Sequence, residues 1–239
     1  AHDMQMGLMP ERAPQIPGIQ IVGRCLSANH VGGDFFQYFQ PQNRLSICLA
    51  DVTGHAMEAA IPAVMFDGIL KTEMRAAPSL EQLFTNLNQT LAELLRDNTF
   101  ICFAMGEFDP STLHLRLSNG GCPYPCPFRA STGELSEVRI EAYPLGIRPD
   151  TRYPVEEIQL EPHDYIIFCS DGIVEAENPA GDQFGYDQTE ETIRKGCAEE
   201  LSPEQLIDRI FSTVEEFADS TPQGDDRTVV VLKIDPSIA

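Results

Sequence analysis

Between Ile19 and Val52 the apolar residues come in short runs separated by polar breaks: Ile19 to Leu26, Phe35 to Phe39 and Leu45 to Val52. Runs of this length, rich in β-branched and aromatic residues, predict strands, and Pro41-Gln42-Asn43 predicts the hairpin turn between the second and third. The period then changes. From about Glu58 to Met74, residues Ala59, Ala63, Phe66, Ile69 and Leu70 recur every three to four positions, the spacing of one buried helix face. Pro62 is expected near the first turn, where proline is tolerated. A second helix is signalled by Ser79 as N-cap with Gln82 three residues on, then Leu83, Leu87, Leu91 and Leu94, closing near Asp97-Asn98. Strands return at Phe100 to Phe108 and Leu113 to Leu117, on either side of the turn Asp109-Pro110-Ser111.

The stretch up to Ile158 is broken by Pro and Gly and predicts short strands and loops. Leu160 to Ile167 leads into the Asp171 motif, with Tyr165 to Cys169 reading as a strand; Asp187 to Cys197 and Ser202 to Phe217 predict two helices and Thr228 to Ile234 a last strand, and Ser202 and Gln205 form a capping-box pattern. Antiparallel runs of strands with helices in separate pairs predict an α+β fold rather than a doubly wound sheet. Residues 1–17 read differently. Met4, Met6, Leu8 and Met9 suit a short apolar helix end, and Pro10, Pro14 and Pro17 an extended linker. They are expected to join the domain, residues 18–236, to an upstream sensor or receiver region of a longer chain.

Composition narrows the partners. With 239 residues and 42% hydrophobic content the chain is long enough for a substantial core. Its net charge of -21 is concentrated late, at Glu156, Glu157, Glu161, Glu190, Glu191, Glu199, Glu200, Glu215 and Glu216, which predicts a solvated acidic face. Nucleic-acid backbones and anionic membranes are poor partners for such a surface. The seven cysteines lie mostly inside apolar runs and predict buried, reduced thiols. Cys122 and Cys126 lack the second pair that a zinc site needs. No run approaches the roughly 18–20 apolar residues of a membrane span, and no secretory pattern opens the chain, so a cytoplasmic location is expected.

Four acidic motifs carry the candidate chemistry: Val31-Gly32-Gly33-Asp34, Ala50-Asp51-Val52-Thr53-Gly54-His55, Cys169-Ser170-Asp171-Gly172 and Gly224-Asp225-Asp226-Arg227-Thr228. Carboxylates at strand ends beside Gly-permitted turns suit an all-oxygen site for a hard cation such as Mg²⁺ or Mn²⁺. Each motif alone is weak. In this order, with Asn119-Gly120-Gly121, Pro144-Leu145-Gly146-Ile147, Gly172-Ile173-Val174-Glu175-Ala176 and Phe184-Gly185 between them, they resemble the metal-dependent protein phosphatase (PPM) family in its bacterial SpoIIE-like branch. The resemblance implies two antiparallel sheets packed face to face with a helical layer on each outer side. It implies that Asp51 bridges two metal ions, with the Val52 carbonyl as a further ligand and Asp171 and Asp225 on one of the ions. Asp34 would reach the site directly or through water, and Asp226 would act in support or cap the turn. The implied reaction is hydrolysis of a phosphoserine or phosphothreonine protein, typically an anti-sigma-factor antagonist, by direct attack of a metal-activated water.

His55 stands either as general acid or as a helix cap, and Thr53 and Gly54 set the turn that aims Asp51. His30, His114 and His163 are expected to be structural. Three departures from the family pattern are visible: Gln37 where relatives often carry an acid or small polar residue, Ala56 for a glycine, and Cys122 for a histidine. They keep open an alternative, a degenerate phosphatase fold that serves as a regulated binding or dimerisation module. A homodimer is compatible with either. A histidine-rich two-metal phosphodiesterase fits less well, and no twelve-residue acidic loop of the calcium-binding kind is present.

Overall fold

The computed structural model describes residues 7–41, 44–54, 57–96 and 98–236. In chain order the described elements are β1 (Ile19–Leu26), β2 (Phe35–Phe39), β3 (Leu45–Val52), α1 (Met57–Arg75), α2 (Leu80–Leu94), β4 (Ile101–Asp109), β5 (His114–Gly120), β6 (Cys126–Arg129), β7 (Glu134–Leu135), β8 (Glu156–Gln159), β9 (Tyr165–Cys169), α3 (Asp171–Val174), α4 (Gly185–Ala198), α5 (Pro203–Ala218) and β10 (Arg227–Ile234). The strands form two five-stranded sheets, ordered β1-β10-β9-β6-β7 and β2-β3-β4-β5-β8. Every pairing is antiparallel.

Side chains alternate faces along a strand, and this alternation builds three apolar layers. On β3, Leu45, Ile47 and Leu49 pack between the sheets, while Cys48, Ala50 and Val52 pack under α1 and α2. On β10, Val230, Leu232 and Ile234 face the other sheet, while Val229 and Val231 face α4 and α5. Because both faces of these strands are covered, each reads as a continuous apolar run. The result is the expected α+β sandwich: two antiparallel sheets face to face, with a helical layer on each outer side.

Several elements differ from expectation. Pro62 lies inside α1 rather than in its first turn, where proline has no N–H to offer the preceding turn. The strand before the Asp171 motif is Tyr165–Cys169 as expected, and the apolar stretch from Leu160 does not extend it. The chain turns at Glu161–Asp164, where the buried Asp164 carboxylate accepts bonds from the Ala130 and Glu161 amides, both 2.9 Å, and strand geometry begins only at Tyr165. The acidic pair Glu156-Glu157 belongs to an edge strand, β8, paired with β5. The second helix ends at Leu94, capped by the Leu95 amide on the Leu91 carbonyl. Asp97 lies outside the described residues, as do Gln42 and Asn43 of the first hairpin and Met4 and Met6 of the expected helix end.

Candidate active site

The strands that are apolar through the middle of the sandwich turn polar at one end. Asp51 continues the inward row of Ile47 and Leu49, and Thr228 that of Val230 and Leu232; Ser170 follows Phe168, and Asp34 precedes Phe36 by two positions. Two-residue periodicity therefore delivers polar groups from four strands and both sheets to one mouth of the inter-sheet space. The Thr228 hydroxyl donates to Asp34 Oδ2 at 2.6 Å, joining β10 of one sheet to the start of β2 in the other. The Thr228 amide donates to Ser170 Oγ at 2.9 Å, and Ser170 Oγ donates in turn to the Asp226 carbonyl at 3.3 Å.

Asp226 is buried and tied to the β1–β2 connection. Its Oδ1 accepts from the Ala28 amide at 2.9 Å and its Oδ2 from the Asp34 amide at 3.2 Å. Asp225 is exposed at the rim, and its Oδ1 accepts from the Asp226 amide at 2.8 Å. Two glycines are required by close approach. A Cβ on Gly172 would lie 2.0 Å from the Asp226 carbonyl oxygen, and one on Gly33 would lie 2.4 Å from the carbonyl oxygen of Val52. Asp171 opens the single turn α3, and its carbonyl accepts from the Glu175 amide at 2.8 Å.

The carboxylates resist ionisation together. Burial, and then the Asp51 charge, push Asp34 well above the usual carboxylate range, against hydrogen bonds from Thr228 and Ser170. Asp51 is pushed up to about 8 by burial and then by the charges of Asp171, Asp225 and Asp226. Asp171 is raised to about 6 by burial, Asp225 and Glu175. The inner wall is made of thiols. Cys102 pairs across from Asp51 on β4, and burial followed by the charges of Asp51, Asp171 and Asp34 raises its pKa. Buried Cys122 is fixed by Asn119, whose Oδ1 accepts from the Cys122 amide at 3.0 Å and whose Nδ2 donates to its carbonyl at 2.9 Å.

Asp34, Asp51, Asp171, Asp225 and Asp226 thus lie at one end of the sandwich. His55 lies outside the described residues. His114 sits 3.5 Å from Glu157 on β8, and His163 sits in the turn before β9, 4.0 Å from Glu200. Ser170 and Thr228 carried no role in the sequence reading. Their signal was a polar residue at an inward position of an otherwise apolar strand.

All-oxygen donors, raised by one another's charge, have the chemistry that a hard divalent cation satisfies. Among the described residues, however, no three His, Cys, Asp or Glu side chains are drawn together into a finished metal cage. The donor chemistry fits; the side-chain placement is open. No helix among the described residues is long and apolar enough to cross a membrane.

A family model for stage II sporulation protein E (SpoIIE) matches residues 41–235. The phosphoserine phosphatase RsbU of Bacillus subtilis is 22% identical over 237 residues, covering 98% of this chain and 68% of RsbU. A second curated relative is spanned over only 40% of its length. The SiaA-PP2C domain of Pseudomonas aeruginosa superposes with a TM-score of 0.84 at 20% identity, covering 98% of this chain and 94% of that one. RsbX in complex with magnesium gives a TM-score of 0.69 at 16% identity, covering 93% of this chain and 98% of that one. At these identities the structural matches speak for the fold, and the family match extends over most of the chain. With the four acidic motifs in register at one mouth of that fold, the chain belongs to the SpoIIE family.

Proposed function

We propose that this chain is a Mg²⁺- or Mn²⁺-dependent phosphatase domain acting on phosphoserine or phosphothreonine in a protein. One observation carries the reading: carboxylates from separate strands and turns crowd one end of the inter-sheet space, where burial and then one another's charge push Asp51 up to about 8 and Asp171 to about 6. Such crowding is costly for a fold unless cations are bound there. Asp51, the Val52 carbonyl, Asp171 and Asp225 would hold two or more ions. Asp34, at the start of the strand next to that of Asp51, would complete the set, and Asp226 would brace the turn. When bound, such ions supply a water activated near neutral pH and charge stabilisation on the phosphoryl oxygens. The protein's own part is positional. Thr228 fixes Asp34, and Gly33 lets the chain pass close to the Val52 carbonyl. RsbX, solved with magnesium, supports the choice of metal.

The substrate we favour is a phosphorylated anti-sigma-factor antagonist. Its support is the SpoIIE family match and the similarity to a phosphoserine phosphatase, RsbU. The site works in the cytoplasm under this reading. Residues 1–17 would connect the domain, residues 18–236, to an upstream sensor or receiver region, with a homodimer as one means of control. In support, Leu8 is buried, and Gln37 Nε2 donates both to the Leu8 carbonyl and, at 3.2 Å, to Asp67 Oδ1 on α1. The N-terminal segment therefore bears on the helix that follows the Asp51 motif. The departures at Gln37 and Cys122 leave all the candidate ligands in place, so the degenerate binding module is the weaker reading.

The test is Mn²⁺-dependent release of phosphate from p-nitrophenyl phosphate and from a phosphoserine protein. Asp51→Asn and Asp171→Asn should each lower kcat/KM by about 100-fold or more, the scale on which one well-placed electrostatic group acts. Full metal-dependent turnover by Asp51→Asn would remove the proposal.

A further inference from the structure

Next to Asp171 the mouth opens into a cavity of about 820 Å³. Its walls come from four separate parts of the chain: the connection between β5 and β6, the connection between β7 and β8, α3 with Glu175 at its end, and the start of α4. Two features set its chemistry. The first is aromatic surface left in water: Tyr143 is 47% exposed and Tyr186 is 53% exposed, and both line the cavity with Tyr124. The second is charge of one sign. Glu137, Glu141, Asp171 and Glu175 all line it, and no Lys, Arg or His does among the described residues. These charges meet in one space, since all four carboxylates line the same cavity as Tyr186. The nearby cations are engaged: Arg139 pairs with Glu137 at 3.0 Å, and Arg148 lies 4.2 Å from the centre of the Tyr143 ring.

We propose that this cavity is the docking groove for the residues flanking the phosphoserine of the protein substrate, and that it selects segments bearing Lys or Arg. The proposal rests on the phosphatase reading and specifies its substrate. Ions held at Asp51 and Asp171 answer the charge of the phosphoryl group itself. Among the described residues Glu141 and Glu175 make no ion pair and Glu137 has only Arg139, so the groove keeps a negative excess that repels flanking acids and attracts flanking cations. The tyrosine faces suit those same residues, since a Lys or Arg stem packs on a ring while its charge sits over the ring or reaches a carboxylate. A net charge of -21 adds long-range attraction for a basic segment.

The experiment uses two phosphoserine peptides of one sequence, with either Lys or Glu at the positions flanking the phosphoserine. Mn²⁺-dependent kcat/KM is measured for both, and their unphosphorylated, fluorescently labelled forms are titrated with the protein by anisotropy. The Lys peptide should be preferred at least tenfold in kcat/KM and should bind more tightly. Both preferences should shrink as salt rises. Glu137→Gln combined with Glu141→Gln should abolish them, and exposed Glu141→Gln alone should reduce them. Glu93→Gln with Glu216→Gln, which removes the same charge from α2 and α5, should leave them intact. Equal use of the two peptides, within twofold in both readouts, overturns the groove; phosphate release from both then leaves the phosphatase reading standing. A preference that survives the groove variants, or is lost equally in the control, also overturns it. Hydrolysis of neither peptide, with tighter binding of the Lys form that needs Glu137 and Glu141, supports the groove and removes the phosphatase reading.

Discussion

The Thr228 hydroxyl is a single group on which the meeting of the two sheets at the site depends. It is fully buried and holds the Asp34 carboxylate at 2.6 Å from the opposite sheet. Replacing it with valine keeps the shape and leaves a buried carboxylate oxygen without this donor, at a cost of about 1–3 kcal/mol. Thr228→Val should therefore lower the urea midpoint and weaken Mn²⁺ binding in calorimetry, while Thr228→Ser should recover both. A second residue-scale expectation concerns pH. In the metal-free protein Asp51 rises from 3.8 to about 8 and Asp171 from 3.8 to about 6. Each carboxyl binds its proton more tightly in the folded chain than in the unfolded one, so its contribution to stability is fully present below about pH 4. It is lost as pH rises through about 6 for Asp171 and about 8 for Asp51. Urea melts of the metal-free protein across this window should show falling stability, and a flat profile would contradict the crowding of these carboxylates.

At the scale of elements, the helix N-caps were legible in the sequence. Ser202 accepts from the Gln205 amide at 3.2 Å and Gln205 Oε1 accepts from the Ser202 amide at 2.9 Å, the reciprocal capping box that the Ser-x-x-Gln spacing predicted. Pro203 at the first position costs α5 no internal bond. Ser202→Ala should destabilise the protein by about 0.5–2 kcal/mol, measured as a lower Tm. Strand positions were nearly as clear in the first third of the chain, where Ile19–Leu26, Phe35–Phe39 and Leu45–Val52 coincide with β1, β2 and β3. The departures have local causes. The apolar stretch from Leu160 does not join the Tyr165–Cys169 strand because Asp164 turns the chain with its own carboxylate, a side-chain interaction that competes with the ladder. The edge strand β8 was hidden because Glu156-Glu157-Ile158-Gln159 lacks an apolar alternation; it takes its geometry from pairing with β5.

The whole molecule joins three apolar layers, and its cysteines report on them. Burial raises the thiol pKa of Cys25, Cys48, Cys102, Cys122, Cys169 and Cys197, and pushes that of Cys126 up to about 12. Since the thiolate is the reactive form, an aromatic disulfide reagent at pH 7.5 should label the native protein slowly and all seven thiols rapidly in urea. Fast labelling of the native state would mean that the inter-sheet layer opens. Divalent cations should act on the same scale. An ion that binds only the folded chain raises its stability by RT ln(1 + [L]/Kd), so Mn²⁺ should raise Tm, and more so at pH 8 than at pH 5, where protons compete for the carboxylates.

The sequence by itself determined the period of each principal element, the α+β class and the identity of the four acidic motifs. These are local properties: spacing of apolar side chains, capping residues, and glycines beside carboxylates. Only the tertiary structure decided how the motifs meet. Asp34 and Thr228 are 194 residues apart in the chain, and nothing in either motif states that one will hold the other. Their contact follows from two sheets stacking with inward rows aligned, which depends on every layer at once. The same is true of Asp226, whose tie to the Ala28 and Asp34 amides distinguishes it from its neighbour Asp225. The acidic groove, assembled from four separate segments, is likewise a product of packing, because charge along a chain has no direction until the fold gives it a wall.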